Sequence, residues 1–375
     1  MERPQKSFIA KDLEKKIVFL AGPRQVGKTT LAKSLQDQWH KLYYLNWDSD
    51  TDKSIILKQQ WDRKAELVIL DEIHKLKNWK SKIKGIYDTE GIPPRILVTG
   101  SARLDLYRRG GDSLAGRYFL HRLYPLSVRE LKDYASPKEV LKELLVLGGF
   151  PEPFLGQSEE QAKRWRKQHL ERIVREDIQD LEPIREVSSL LLLVDLLRER
   201  VGSPISYTSL AGDIQVSPHT IKHWIEILEN MYVIFKVTPY HKNLARAILK
   251  EPKVYFYDTG AVRAELGFKL ENAVAVSLKK WSHFLEDTRG SDVQLHYVRN
   301  KEGREVDFAI FVDGKVKHLI EVKVSDTKLS PSLRYFHDRL NPSESLQLVF
   351  ETERSRSVDG IRVTPAADWL AGLDI

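Results

Sequence analysis

Apolar residues are patterned in three ways along the chain. In the first third they form short unbroken runs: IVFLA at 17–21, LVIL at 67–70 and ILVT at 96–99, each closed by polar or glycine residues. Runs of branched apolar residues predict strands buried on both faces, as in a parallel sheet. Leu31 and Leu35, four apart after the first run, predict a helix. In the middle the spacing lengthens. Residues 188–201 predict a helix that ends at Gly202-Ser203-Pro204, with a shorter helix over 207–214. VSPHTIKHWIEILENMYVI follows, with Ser217 as N-cap, Pro218 at the first helical position and Ile221, Ile225 and Leu228 in one stripe. Strand-like segments at 233–239 and 254–258 complete a helix, helix, turn, helix, hairpin order, which predicts a winged helix. Towards the C-terminus the period drops to two. EVDFAIFVDGKVKHLIEVKV, 305–324, reads as two strands around a turn at Asp313–Gly314, preceded by a helical stretch at 270–281.

The first run enters Gly22-x-x-x-x-Gly27-Lys28-Thr29-Thr30. Glycines there let backbone N–H groups close around phosphate oxygens at a helix N-terminus. Lys28 should reach the β- and γ-phosphates of ATP, and the Thr29 hydroxyl should ligate Mg²⁺. The second run ends in Asp71 and Glu72, at the sheet end where ligands bind in open α/β folds. Asp71 is the candidate Mg²⁺ ligand and Glu72 the group that polarises the attacking water. The third run leads to Ser101, the candidate γ-phosphate sensor, with Thr99 in reserve. Arg117 is the candidate arginine finger for a neighbouring subunit's ATP, and Arg103 and Arg108 compete for that role.

On the C-terminal hairpin, Glu321 and Lys323 share a face opposite Ile320, Val322 and Val324. This suits a plain solvent-facing side. It also suits a nuclease, in which Asp307, Glu321 and the Val322 carbonyl bind a divalent ion and Lys323 orients or deprotonates a water. Glu271, in the helix upstream, is a further acid for that site.

Composition narrows the field. The chain has 375 residues, enough for two or three domains, and no cysteine, so disulfides, thiol catalysis and cysteine zinc sites are excluded. Its N-terminal stretch is too charged for a secretory signal, and the longest apolar run, 190–194, is far short of a membrane span. A cytoplasmic protein is expected. The net charge of +7 is compatible with nucleic acid but weak by itself. Lysines at 75, 77, 80, 82 and 84 around Trp79, and Arg164, Arg166 and Lys167 around Trp165, are either solvated faces or nucleic-acid surfaces with a stacking aromatic.

GPRQVGKTT, LVILDEIHK, ILVTGSARLDL, SLAGRYFLHRLYPLS, LGGFPEPF, KVYFYDTG and REVDFAIFVDGKVKHLIEVKVS together resemble a prokaryotic family of AAA+-type ATPases that end in a domain of unknown function. The C-terminal part resembles the PD-(D/E)XK phosphodiesterase fold, although Val306 stands where the formal motif has proline. The resemblance implies an α/β chain in three parts. These are a P-loop AAA+-type ATPase domain at 1–135, a helical and winged-helix domain at 136–240 and a restriction-endonuclease-like nuclease domain at 241–375. It further implies a homo-oligomer, a hexamer, acting on DNA, with ATP and Mg²⁺ at the first site and Mg²⁺ or Mn²⁺ at the nuclease site.

Overall fold

The computed structural model describes residues 3–62, 64–100, 114–178, 186–241, 251–325 and 328–374, in two compact units that meet at Tyr124 and Pro125. In the first unit, β1 (Ile17–Ala21), β2 (Leu42–Asn46), β3 (Leu67–Asp71), β4 (Arg95–Thr99) and β5 (Tyr118–Arg122) form one sheet in the order β2-β3-β4-β1-β5. Every pairing in it is parallel. The unbroken apolar runs have the cause anticipated, since β1 and β3 are buried at every position. Ile17, Phe19 and Ala21 of β1 join the core that Trp79, Ile83 and Ile86 of the helix Trp79–Glu90 complete. The central β1 carries the phosphate loop at its C-terminal end.

The second unit is built on an eight-stranded mixed sheet. Its strands are β6 (Ile234–Pro239), β7 (Lys253–Phe256), β8 (Val293–Arg299), β9 (Glu305–Val312), β10 (Lys315–Lys323), β11 (Glu344–Val349), β12 (Arg356–Val358) and β13 (Ile361–Pro365). The order is β12-β13-β11-β10-β9-β8-β6-β7. β9 pairs antiparallel with β8 and β10, whereas β10 pairs parallel with β11. The two-residue turn between β9 and β10 is Asp313–Gly314, with φ of 50° and 77°. Positive φ at both positions is the left-handed turn that matches strand twist, and an irregularity between Val316 and His318 then shifts the register by one residue, which brings Asp307 level with Glu321.

The three middle helices, Val187–Glu199, Tyr207–Ile214 and Pro218–Asn230, form as their spacing predicts. Ser217 caps the last by accepting from the Thr220 amide at 3.0 Å. The hairpin that follows, β6 with β7, belongs to the large sheet, because Thr238 and Pro239 of β6 pair parallel with His296 and Tyr297 of β8. The segments 136–240 and 241–375 therefore share one sheet inside one compact unit, where sequence pattern divides them. No short motif marks such a pairing, because its partners lie 58 residues apart.

Candidate functional sites

The phosphate loop leaves β1 at Gly22, whose φ of 144° and close approach to the Leu123 carbonyl leave no room for a Cβ. The helix Lys28–Ser34 starts directly after Gly27. Lys28 is buried, and its Nζ donates to the Gly22 and Pro23 carbonyls at 2.9 and 2.6 Å. Thr30, one position beyond Thr29, is exposed on the first turn. Arg3 braces the loop from outside the motif, donating to the Val26 carbonyl at 2.7 Å and the Tyr124 carbonyl at 3.1 Å.

Asp71 closes the site. Its carboxylate accepts from Thr29 Oγ1 at 2.9 Å, from Tyr44 Oη at 2.7 Å and from Thr99 Oγ1 at 2.5 Å. Three neutral donors thus aim one carboxylate, next to the Thr29 hydroxyl, and these hard oxygens suit Mg²⁺. Thr99, the reserve sensor, is spent on this carboxylate, while Ser101, Arg103 and Arg108 lie outside the described residues. Glu72 stands beside Asp71 with left-handed backbone, φ 55°. Burial and the Asp71 charge raise its pKa, against Lys28, Lys75 and Arg24.

Arg117 is ion-paired with Asp88 at 2.8 Å. Its carbonyl accepts from the Ile17 amide, so it sits at the N-terminal end of β1, opposite the phosphate loop. Five residues at about 3.3 Å each leave roughly 16 Å between it and the loop of its own chain. Trp79 is 3% exposed and packs on Phe19, and Trp165 is buried against His169 and donates to Glu152, so neither indole is open to a base. Lys75 pairs with Asp48, and Lys82 donates to the Leu57 carbonyl.

In the second unit the hairpin and the helix Leu266–Arg289 bring Glu271, Asp307, Glu321 and Lys323 into one region. Asp307 Oδ2 accepts from the Val322 amide across the strands at 2.9 Å. Lys323 Nζ is 2.8 Å from Glu321 Oε1, and Glu321 Oε2 is buried with no hydrogen-bond partner. Burial and then the Asp307 charge push Glu321 up to about 7. A pair of crowded carboxylates with an unsatisfied buried oxygen fits a divalent cation, and Asp307, Glu321 and the Val322 carbonyl are all hard oxygen donors.

Glu271 has a different environment. Its Oε1 accepts from Tyr255 Oη at 2.6 Å and from Lys253 Nζ at 3.2 Å. Lys253 is 1% exposed, and its Nζ also lies 2.7 Å from Glu305 and 3.6 Å from Asp307. Burial favours a neutral amine, but Glu271, Asp307 and Glu305 outweigh it and raise the pKa of Lys253. Glu271 is pushed up to about 8, by burial first and by Asp307 second. A buried ammonium therefore gathers three carboxylates. Among the described residues no group of three Asp, Glu, His or Cys side chains is set to hold a metal ion. Sequence spacing missed Lys253, Tyr255 and Glu305. Lys253 and Tyr255 lie in KVYFYDTG, a motif with no assigned chemistry, and Glu305 opens the first hairpin strand.

Comparison with known proteins divides the chain in a similar way. Residues 14–132 match the family model described as "AAA domain". Residues 138–272 and 266–369 match two models described as domains of unknown function, DUF8612 and DUF4143. An uncharacterized protein of Haemophilus influenzae is 24% identical over 94% of each chain. One of Methanocaldococcus jannaschii is 26% identical over 82% of this chain and 74% of its own. One of Mycobacterium tuberculosis is 24% identical over 85% and 73%. Among solved structures, the RuvB Holliday junction branch migration motor of Thermotoga maritima is 19% identical over 66% of this chain and 94% of its own, with a TM-score of 0.32. A Walker-type ATPase of Pyrococcus abyssi is 16% identical over 70% and 94%, with a TM-score of 0.41. The AAA domain match, the parallel sheet and the phosphate loop support an AAA-type P-loop ATPase in the first unit, with a nucleotide and Mg²⁺ as its ligands. Among the described residues no helix is long and apolar enough to cross a membrane.

Proposed function

We propose that the chain is an ATP-dependent DNA-processing nuclease. AAA-type subunits assemble into a homo-oligomeric ring, a hexamer, hydrolyse ATP to grip or move DNA, and cut phosphodiester bonds in the second unit. The observation that carries the cutting step is the Asp307, Glu321 and Lys323 cluster, with the Glu321 Oε2 atom buried and unpartnered.

In the first unit, Lys28 and the loop amides would bind the phosphates, and Thr29 and Asp71 would hold Mg²⁺. Glu72, its pKa raised by burial and by the Asp71 charge, would polarise the attacking water. Arg117 can serve only a neighbouring chain's nucleotide, since its own loop is at the far end of the strands. In the second unit, a Mg²⁺ or Mn²⁺ ion on Asp307, Glu321 and the Val322 carbonyl would polarise the scissile phosphate and acidify a bound water. Lys323 would orient that water and stabilise charge on the phosphate. Glu271, fixed by Lys253 and Tyr255, would keep Asp307 in place through the ammonium they share.

Lys253 also favours a second reading. Its ammonium already neutralises carboxylates that a metal would otherwise satisfy, as in a nucleotide-switched DNA-binding or scaffold ATPase without nuclease activity. Cleavage of labelled linear, circular and branched DNA with Mg²⁺ or Mn²⁺, with and without ATP, separates the two. Cutting by the wild type and not by Asp307→Ala establishes the nuclease, and its loss in Lys28→Ala makes access to DNA ATP-driven. No cutting, with ATP hydrolysis that responds to DNA, establishes the switch.

A further inference from the structure

Two sequence motifs, LGGFPEPF and KVYFYDTG, enter neither site, apart from Lys253 and Tyr255. In the fold they meet. Gly148 of the first has φ 78°, and a Cβ there would collide with the Asp258 carboxylate of the second. A Cβ at Gly260 would collide with the Arg166 guanidinium. The missing side chains make room for one ion pair, Arg166 Nε to Asp258 Oδ2 at 3.0 Å, with Arg166 Nη2 also donating to the Val146 carbonyl at 2.7 Å.

Arg166 of this pair lines a cleft of about 760 Å³ in the second unit. That volume is within the range of small-molecule sites, about 300–1,000 Å³. Six cations line it, Lys163, Arg166, Lys167, Arg198, Arg263 and Lys269, from the helices Glu159–Arg172, Val187–Glu199 and Leu266–Arg289 and from the turn after Asp258. Against them stand Glu159, Glu171 and Asp195 in the lining and Asp258 behind Arg166, which leaves a surplus of two positive charges. Arg198 is largely buried. Its Nη1 donates to Asp195 at 2.8 Å, while its Nε is shielded from solvent with no hydrogen-bond partner. Burial, and then the neighbouring Arg263 charge, lower the Arg198 pKa. A guanidinium fixed by a carboxylate and crowded by a second arginine is a preorganised positive charge on the cleft wall, suited to an anion.

We propose that this cleft binds a phosphate-bearing small molecule of nucleotide size, held by its phosphate oxygens on Arg166 and Arg198, with Lys167 and Lys269 at its rim. The forked guanidinium geometry fits phosphate oxygens two at a time. The Arg166 and Arg198 side chains are only 10% and 12% exposed, whereas contact with a nucleic-acid backbone relies on exposed cations along a surface. The site does not depend on the proposed nuclease reading, and its test does not use cleavage.

The experiment is calorimetric titration of ADP and of inorganic pyrophosphate into the full chain carrying Lys28→Ala, in metal-free buffer, so that the phosphate loop and the carboxylate site contribute nothing. The expected result is one ADP bound per chain, displaced by pyrophosphate and weakened as salt is raised. Lys167→Glu with Lys269→Glu, a surface change that keeps the unfolding midpoint, should weaken ADP at least ten-fold, and Arg198→Lys should weaken it too. No binding to the Lys28→Ala chain overturns the proposal, as does affinity unchanged by the charge reversal. So does displacement of ADP by a single-stranded oligonucleotide at lower concentration than by pyrophosphate, since the cleft would then be part of a nucleic-acid path.

Discussion

The two candidate sites place carboxylates in opposite ways. Asp71 in the first unit is aimed by three neutral hydroxyls, those of Thr29, Tyr44 and Thr99, and the loop beside it is shaped by backbone. In the second unit Glu271, Glu305 and Asp307 are gathered by one buried ammonium, and Glu321 keeps an unsatisfied oxygen. Three neutral donors share the one buried Asp71 carboxylate, so the loss of any one leaves two. A buried ion cluster holds its geometry only while its charges balance, because removal of one partner strands the others in low dielectric. Activity and stability should therefore separate in the first site and move together in the second.

Two substitutions would break that contrast most directly. Lys28→Ala should lower ATP hydrolysis by about 10²–10³, the usual cost of a lost preorganised electrostatic donor. Its unfolding midpoint should change little, since its hydrogen bonds to the Gly22 and Pro23 carbonyls lie within the loop itself. Lys253→Met should destabilise the second unit by about 3–5 kcal/mol, as for a buried pair that loses one partner. Denaturant unfolding of both variants checks the pair. Equal stability losses would erase the distinction.

The pH dependence sharpens it. Glu271 titrates near 8 in the folded chain against 4.5 unfolded, for the reasons of burial and the Asp307 charge. Between those values the folded state holds a proton that the unfolded state has lost. The stabilisation is complete below the unfolded pKa and fades as pH rises towards 8. In metal-free buffer the unfolding free energy should fall from pH 5 to pH 8, and Glu271→Gln should flatten that slope. A slope that persists in the variant would assign it elsewhere.

The same contrast explains what the sequence made legible. Phosphate-loop chemistry is contiguous: Gly22, Gly27, Lys28 and Thr29 lie within eight residues of one another, and the strand and helix on either side are local patterns. Asp307, Glu321 and Lys323 were within reach because they lie on two strands joined by one two-residue turn, although the register shift between Val316 and His318 that levels Asp307 with Glu321 was not visible. Lys253 was not, because its partners lie 18 residues or more away and a lysine in a strand reads as a solvent-facing position. Trp79 and Trp165 misled for a related reason. The indoles turn inward onto Phe19 and His169, and Arg166 beside Trp165 is buried on Asp258. The shared eight-stranded sheet was hidden too, since the pairing of β6 with β8 rests on two residue pairs remote in sequence.

The smallest expected effect tests whether the hydroxyls around Asp71 act as interchangeable neutral supports. Tyr44 is half-buried, and its hydroxyl donates to the Asp71 oxygen that also accepts from Thr29. Tyr44→Phe removes one of the three hydrogen bonds to the Asp71 carboxylate and keeps the ring. Asp71 retains Thr29 and Thr99, so its carboxylate should stay aimed. Hydrolysis at saturating Mg²⁺ should be close to wild type, with the Mg²⁺ requirement shifted by no more than about ten-fold, which is 1.4 kcal/mol. A Mg²⁺ titration of ATP hydrolysis measures this. A loss as deep as that of Lys28→Ala would show that Tyr44 holds the carboxylate on its own. The first site would then depend on a single partner, just as the second depends on Lys253.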